Sequence, residues 1–274
     1  MEKKLNSFIF SFFVLFALSA ILVASFMVYP YLGKIEYDIE APVSDQNIEV
    51  LANDNFNTLR PTGDYGQEYI DKIIFLGEST TYGLQRYGLL SGGTETKQVW
   101  TGAMISGGKA VSAGTLSLSP SIAHSKIYYP DTGSALSISE AVSIKKPEYL
   151  IITLGLNNGA SYYSEHEFKH CYRLLLDSVR GSSENTKIIL QSLFPVSKAC
   201  QINAYTPKRI DECNGWIYEI AQEYDLKYLD TAEVLKNDEG YLLPEYDNGG
   251  DGIHLNREGL NAVIEYIRTH GYEG

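Results

Sequence analysis

Proline is scarce, nine in 274 residues, and there is no low-complexity run; together these exclude a collagen-like rod and a mucin-like stalk. Basic residues are also short, with 22 Lys and Arg against 34 Asp and Glu and a formal net charge of −12. That excludes a nucleic-acid binder relying on clustered Lys and Arg to neutralise phosphates. Charged residues make up only 20% of the chain whereas apolar ones reach 44%, so a globular core can form and wholesale disorder is ruled out. The length suits one large domain or two small ones, at about 100–200 residues each. Tyr is abundant at 21 copies, which suits a sugar-binding surface but more often reflects half-buried core positions.

No charge occurs from Leu5 to Gly33, and Phe8–Tyr31 is mostly Phe, Leu, Ile, Val and Ala. About 20 apolar residues span a bilayer's hydrocarbon core. Lys3 and Lys4 precede this run, while Glu36, Asp38 and Glu40 follow it. The positive-inside rule therefore predicts a single-pass membrane anchor over residues 1–33, with the remainder extracytoplasmic. The alternative is a cleaved signal peptide, whose apolar region is usually about 7–15 residues, releasing a secreted protein. Residues 34–70 are polar, with Asn53, Asp54, Asn55 and Asn57, and read as a stalk; residues 71–274 read as the folded domain.

Only three cysteines are present. Cys200 and Cys213 flank a polar stretch containing Pro207, and an exported loop of that size gains about 3 kcal/mol from a disulfide in the chain-entropy model. Three thiols allow three single pairings, among which sequence alone does not choose; the expectation is a Cys200–Cys213 bond, with Cys171 a small buried side chain on a helix.

Four short apolar runs read as buried strands: 72–76, 149–154, 187–191 and 227–229. Helical spacing fills the gaps between them: 135–144, 165–179 with Phe168, Tyr172, Leu175 and Val179 on one stripe, 207–224 behind Thr206 and Pro207, and 257–269 behind Asn256. Alternation of this kind predicts a three-layer α/β/α sandwich with a mostly parallel sheet. Residues 85–130, rich in Gly and Ser, show no clear strand.

Ligands of open α/β sheets bind at the carboxyl ends of the strands. Gly77-Glu78-Ser79-Thr80-Thr81-Tyr82-Gly83 follows the first strand, and Gly155-Leu156-Asn157-Asn158-Gly159 follows the second. Asp251-Gly252-Ile253-His254 precedes the last helix. A serine at a strand-to-helix turn presents its hydroxyl beside a free N–H, and an asparagine offers an amide donor. An Asp three residues before a His can hold one imidazole nitrogen while the other faces the serine. These are the parts needed for acyl transfer.

The three blocks resemble those of the SGNH (GDSL-type) hydrolases: Gly-Asp-Ser-x-Thr-x-Gly, Gly-x-Asn-Asp and Asp-x-x-His, in that order and over about residues 72–270. The resemblance implies Ser79 as nucleophile, His254 as general base, Asp251 as its orienter, and the Ser79 N–H and Asn157 as oxyanion donors. It also implies a second-block glycine as a backbone donor; Gly133 is assigned, with Gly107, Gly108 and Gly114 competing. Glu78 and Asn158 depart from the pattern, each standing where the family has Asp.

Taken singly, these residues have plainer roles, as a helix cap, a turn, an Asp-Gly corner or a surface histidine; taken together, the roles are complementary. His166-Glu167-Phe168-Lys169-His170 matches the H-E-x-x-H zinc-protease motif. Arg173 and Leu176 stand where the extended form needs Gly and His, however, and Ser164-x-x-Glu167 is a capping box. Gly107-Gly108-Lys109 lacks the Ser/Thr and first Gly of a phosphate loop. The expectation is an extracytoplasmic serine esterase without metal or organic cofactor. It would cleave O-acyl esters, acetyl among them, on small molecules or glycans. The alternatives are an acyltransferase with the same residues and a non-catalytic glycan-binding module.

Overall fold

The computed structural model describes residues 57–273. The expected anchor, residues 1–33, lies outside the described residues. Among those described, no helix is long and apolar enough to cross a membrane.

Five parallel strands form the central sheet in the order β2-β1-β7-β8-β9. They are β1 (Ile73–Gly77), β2 (Val99–Trp100), β7 (Tyr149–Thr153), β8 (Lys187–Gln191) and β9 (Lys227–Leu229). The apolar runs are continuous because both sheet faces are covered, so period two sorts their side chains into separate cores. Ile74, Leu76, Leu150, Ile152, Ile188 and Leu190 join one core, beneath α3 (Ile138–Lys145), α4 (Glu165–Arg180) and α5 (Pro207–Glu223). Ile73, Phe75, Ile151, Ile189 and Leu229 join the other, beneath α1 (Gly66–Asp71) and α6 (Arg257–Thr269). The three-layer α/β arrangement with a parallel sheet is as expected.

Helix starts follow the expected caps. The Ser164 and Glu167 side chains close a capping box on α4, Thr206 caps α5 with Pro207 in its first turn, and Asn256 accepts from the Gly259 N–H to cap α6. Helix α4 buries Phe168, Cys171, Tyr172, Leu175, Leu176 and Val179 on one stripe. Each large apolar side chain buried in this way contributes about 1.5–3 kcal/mol.

Three expectations are corrected. First, the stretch read as stalk up to residue 70 is packed from Asn57 onward. Thr58 bridges Tyr228 in parallel, and Leu59, Tyr69 and Ile70 are buried. Apolar anchors among polar neighbours thus tie this segment to the sheet edge. Second, the helix expected from 135 starts at Ile138. Ser134–Ser137 is strand β6, paired with β5 (Lys126–Tyr129) in a hairpin, and the Ser137–Glu140 capping box sets the boundary. Third, Cys171, Cys200 and Cys213 are all free thiols. Cys213 is fully buried on the inward stripe of α5 with Ile210 and Ile217, and burial pushes its thiol up to about 11. It serves as a core side chain rather than a partner for the loop residue Cys200.

Residues 85–130 supply the edge strand β2 and a second hairpin, β3 (Ala103–Ser106) with β4 (Lys109–Ser112). Gly107 and Gly108, both at positive φ, make its two-residue turn, which is the structural role of the phosphate-loop-like stretch.

Candidate active site

Strand β1 ends at Gly77, and helix α2 (Ser79–Arg86) begins two residues later. A Cβ on Gly77 would lie 2.1 Å from Thr81 Oγ1 and 2.7 Å from the Thr153 carbonyl oxygen, so only glycine lets the strand turn here. Ser79 is the first residue of α2. Its N–H is among those with no intrahelical acceptor, at the positive end of the helix dipole.

The Asp251–His254 corner comes from a loop fixed at several points. Gly252, at φ +73°, sits where a Cβ would come within 2.5 Å of the Cys200 nitrogen, and its carbonyl accepts the Ser197 N–H at 2.8 Å. Asp251 Oδ1 accepts the N–H groups of Ile253 (2.9 Å) and His254 (3.1 Å). Its Oδ2 lies 2.6 Å from His254 Nδ1, and His254 Nε2 lies 2.8 Å from Ser79 Oγ. Partial burial works against the Asp251 charge. The two N–H groups and the imidazole outweigh it and hold the carboxyl below its ordinary range. The carboxylate keeps the imidazole proton on Nδ1, which leaves the Nε2 lone pair to take the serine proton.

Beneath this relay lies a carboxylate that sequence reasoning noted only as a departure. Glu78 is 1% exposed. Its Oε1 accepts the Leu156 N–H at 2.9 Å and its Oε2 the Asn157 N–H at 2.7 Å. Burial pushes its pKa up to about 7, against the pull of the Asn157, Leu156 and Gly155 N–H groups. The turn after β7 is held from the other side by the Tyr172 and Tyr205 hydroxyls, which donate to the carbonyls of Leu154 and Leu156. Both tyrosines sit within the core pattern, which is why the sequence showed no sign of this role.

The family model described as GDSL-like Lipase/Acylhydrolase matches residues 75–262, well over half of the chain. The chain belongs to that family. No curated protein matches it. Among solved structures it is similar to a proposed platelet activating factor from Streptococcus pneumonia (20% identity, 72% of this chain and 82% of that one, TM-score 0.51). It also resembles a proposed lipolytic protein of the G-D-S-L family from Desulfitobacterium hafniense DCB-2 (17%, 72% and 97%, 0.49). A carbohydrate esterase family 3 structure from Talaromyces cellulolyticus is a further match (17%, 72% and 93%, 0.44).

Of the residues expected in this GDSL-like acylhydrolase, Ser79, Asp251 and His254 come together directly. Asn157 reaches the same end of the sheet, with its amide donating to Thr115 Oγ1 (2.9 Å) and the Leu116 carbonyl (3.1 Å). Gly133 does not join them. It turns the β5–β6 hairpin and donates its N–H to the Tyr129 carbonyl at 2.9 Å. The loop lying against Asn157 is 113–116. Within it Gly114, at φ +65°, faces Tyr82, whose ring a Cβ would approach to 3.2 Å; its N–H donates to Ser112 Oγ. The β3–β4 hairpin separates this loop from β2, which hides the spacing by which the sequence could have singled out Gly114.

His166 and His170 are exposed on α4, and both Glu167 contacts with Ser164 serve the helix cap. Among the described residues, no three His, Cys, Asp or Glu side chains converge on a metal position.

Proposed function

We propose that this acylhydrolase is a serine esterase that hydrolyses short O-acyl esters, acetyl esters among them, on carbohydrate outside the cytoplasm. The observation that carries the reading is the relay Asp251–His254–Ser79, with spacings of 2.6 and 2.8 Å. Ser79 Oγ attacks the ester carbonyl as Nε2 takes its proton, and the Asp251 carboxylate stabilises the imidazolium. The Ser79 N–H receives the developing oxyanion, and Asn157 adds its amide once the oxyanion replaces Thr115 Oγ1 as acceptor. His254 then returns the proton to the leaving alcohol. Water, activated by the same imidazole, releases the acid from Ser79.

The short-acyl preference is supported by Tyr82 packed against Gly114 beside Ser79. The location rests on the uncharged run from Leu5 to Gly33 behind Lys3 and Lys4. Purified protein should hydrolyse p-nitrophenyl acetate with a burst of nitrophenol and carry an acetyl group on the peptide containing Ser79. Hydrolysis without an acyl adduct, or undiminished hydrolysis by Ser79→Ala, would refute the serine mechanism.

A further inference from the structure

The cleft that opens on Ser79 and His254 continues along α2 to Arg86 and Tyr87. Ser79, Gly83 and Arg86 are spaced four and three apart, on one face of that helix, which places Arg86 about 10 Å from the nucleophile along the axis. Arg257, the first residue of α6, lies over the Tyr87 ring with its guanidinium carbon 5.5 Å from the centroid. Tyr87, which lines the cleft with Arg86, therefore carries the Arg257 guanidinium beside the cleft.

Carboxylate or carbonyl partners engage four other arginines among the described residues. Arg173 is paired with Glu223, Arg268 with Asp64 and Arg209 with Glu212, while Arg180 donates to the Tyr224 carbonyl. Among the described residues, neither Arg86 nor Arg257 pairs with a carboxylate. The one carboxylate lining the cleft, Asp251, is committed to His254. In a chain of net charge −12, the acyl-transfer site thus opens on a cleft with one arginine in its lining and a second beside it.

We propose that Arg86 and Arg257 form an anion subsite, so that the preferred substrates are O-acyl esters whose alcohol part carries a carboxylate or phosphate within about two helical turns of the ester. The proposal rests on the serine esterase reading and names the substrate class for that site. A guanidinium presents paired N–H donors in the geometry that carboxylate and phosphate oxygens accept, so it selects an anion by hydrogen bonding as well as by charge. Helix α2 fixes the distance from the nucleophile, so the subsite also reads where the anion lies relative to the ester.

The test compares kcat/KM of the full-length protein on three acetylated sugars: a neutral methyl hexoside, its hexuronide and its hexose phosphate. Wild type should favour at least one anionic sugar over the neutral one by about tenfold or more, the scale of one charge-assisted hydrogen bond. The hexuronide and phosphate arms show which anion fits. Arg86→Gln should remove most of the preference, chiefly through KM, and Arg86→Gln/Arg257→Gln all of it. Arg173→Gln, which deletes a positive charge elsewhere, should leave the ratio intact. Equal rates on all three sugars in wild type, or a preference that survives the double variant, would overturn the subsite. Activity of wild type on p-nitrophenyl acetate, and its loss in Ser79→Ala, report separately on the esterase reading.

Discussion

Glu78 and Asn157 are 79 residues apart in sequence, yet a carboxylate oxygen of one accepts the backbone N–H of the other at 2.7 Å inside the protein. The residue just before the nucleophile thereby fixes the turn that carries the candidate oxyanion donor. Ionised, Glu78 offers an acceptor to each of the Leu156 and Asn157 N–H groups; protonated, one of its oxygens becomes a donor. The longer side chain at the position where the family has Asp thus keeps a carboxylate beneath the turn.

A stability signature follows. Burial raises the Glu78 pKa from 4.5 to about 7, so the folded protein holds this proton more tightly than the unfolded chain. The contribution is fully present below pH 4.5 and is lost as pH rises through 7. Denaturant unfolding should show wild type losing about 3 kcal/mol relative to Glu78→Gln across that window. Parallel pH curves for the two proteins would contradict this. Glu78→Ala, which leaves two buried N–H groups without an acceptor, should in addition lower kcat.

The two candidate glycines can be separated by substitution. Gly114→Ala puts a methyl group 3.2 Å from the Tyr82 ring at φ +65°, so the loop against Asn157 must shift and kcat should fall. Gly133→Ala carries similar backbone strain, but its Cβ would meet only the Tyr128 hydroxyl at 3.8 Å. It should cost about 1 kcal/mol of stability and leave kcat unchanged. The reverse pattern would restore Gly133 to the oxyanion role.

The parallel sheet was legible because each strand, covered on both faces, had to be an unbroken apolar run, as in Tyr149–Leu154. The three chemical blocks were legible because each adjoins a strand end or a helix cap. What escaped the sequence depends on distant partners. Leu59 and Ile70 are apolar anchors in a polar stretch and show their purpose only against the sheet edge. Val99–Trp100 is too short for any period to register. Gly133 and Gly114 both look like turn glycines, and only the contact of loop 113–116 with Asn157 sets them apart. Glu78 sits in a recognisable motif, but its acceptor role depends on a turn that reaches it from another strand.

The cysteines give a direct chemical check. With all three thiols free, alkylation of protein unfolded without reductant should label Cys171, Cys200 and Cys213 alike. Native protein should react first at Cys200, the only one of the three that is not buried. A disulfide-linked peptide pair in the mass map would contradict the structure.

The serine relay and the H-E-x-x-H match make opposite forecasts. Ser79→Ala and His254→Ala should each reduce turnover by several orders of magnitude, and the double variant should be little worse than either, because the pair acts as a unit. Asp251→Asn should also be impaired, since it loses the charge that supports the imidazolium. Asn157→Ala should lose about 10²–10³-fold, the usual scale for one oxyanion donor. His166→Ala and His170→Ala remove exposed side chains on α4, and Glu167 is occupied at the helix cap, so neither variant nor EDTA should change the rate. Activity that survives Ser79→Ala but disappears with EDTA or with either histidine variant would transfer the chemistry to α4.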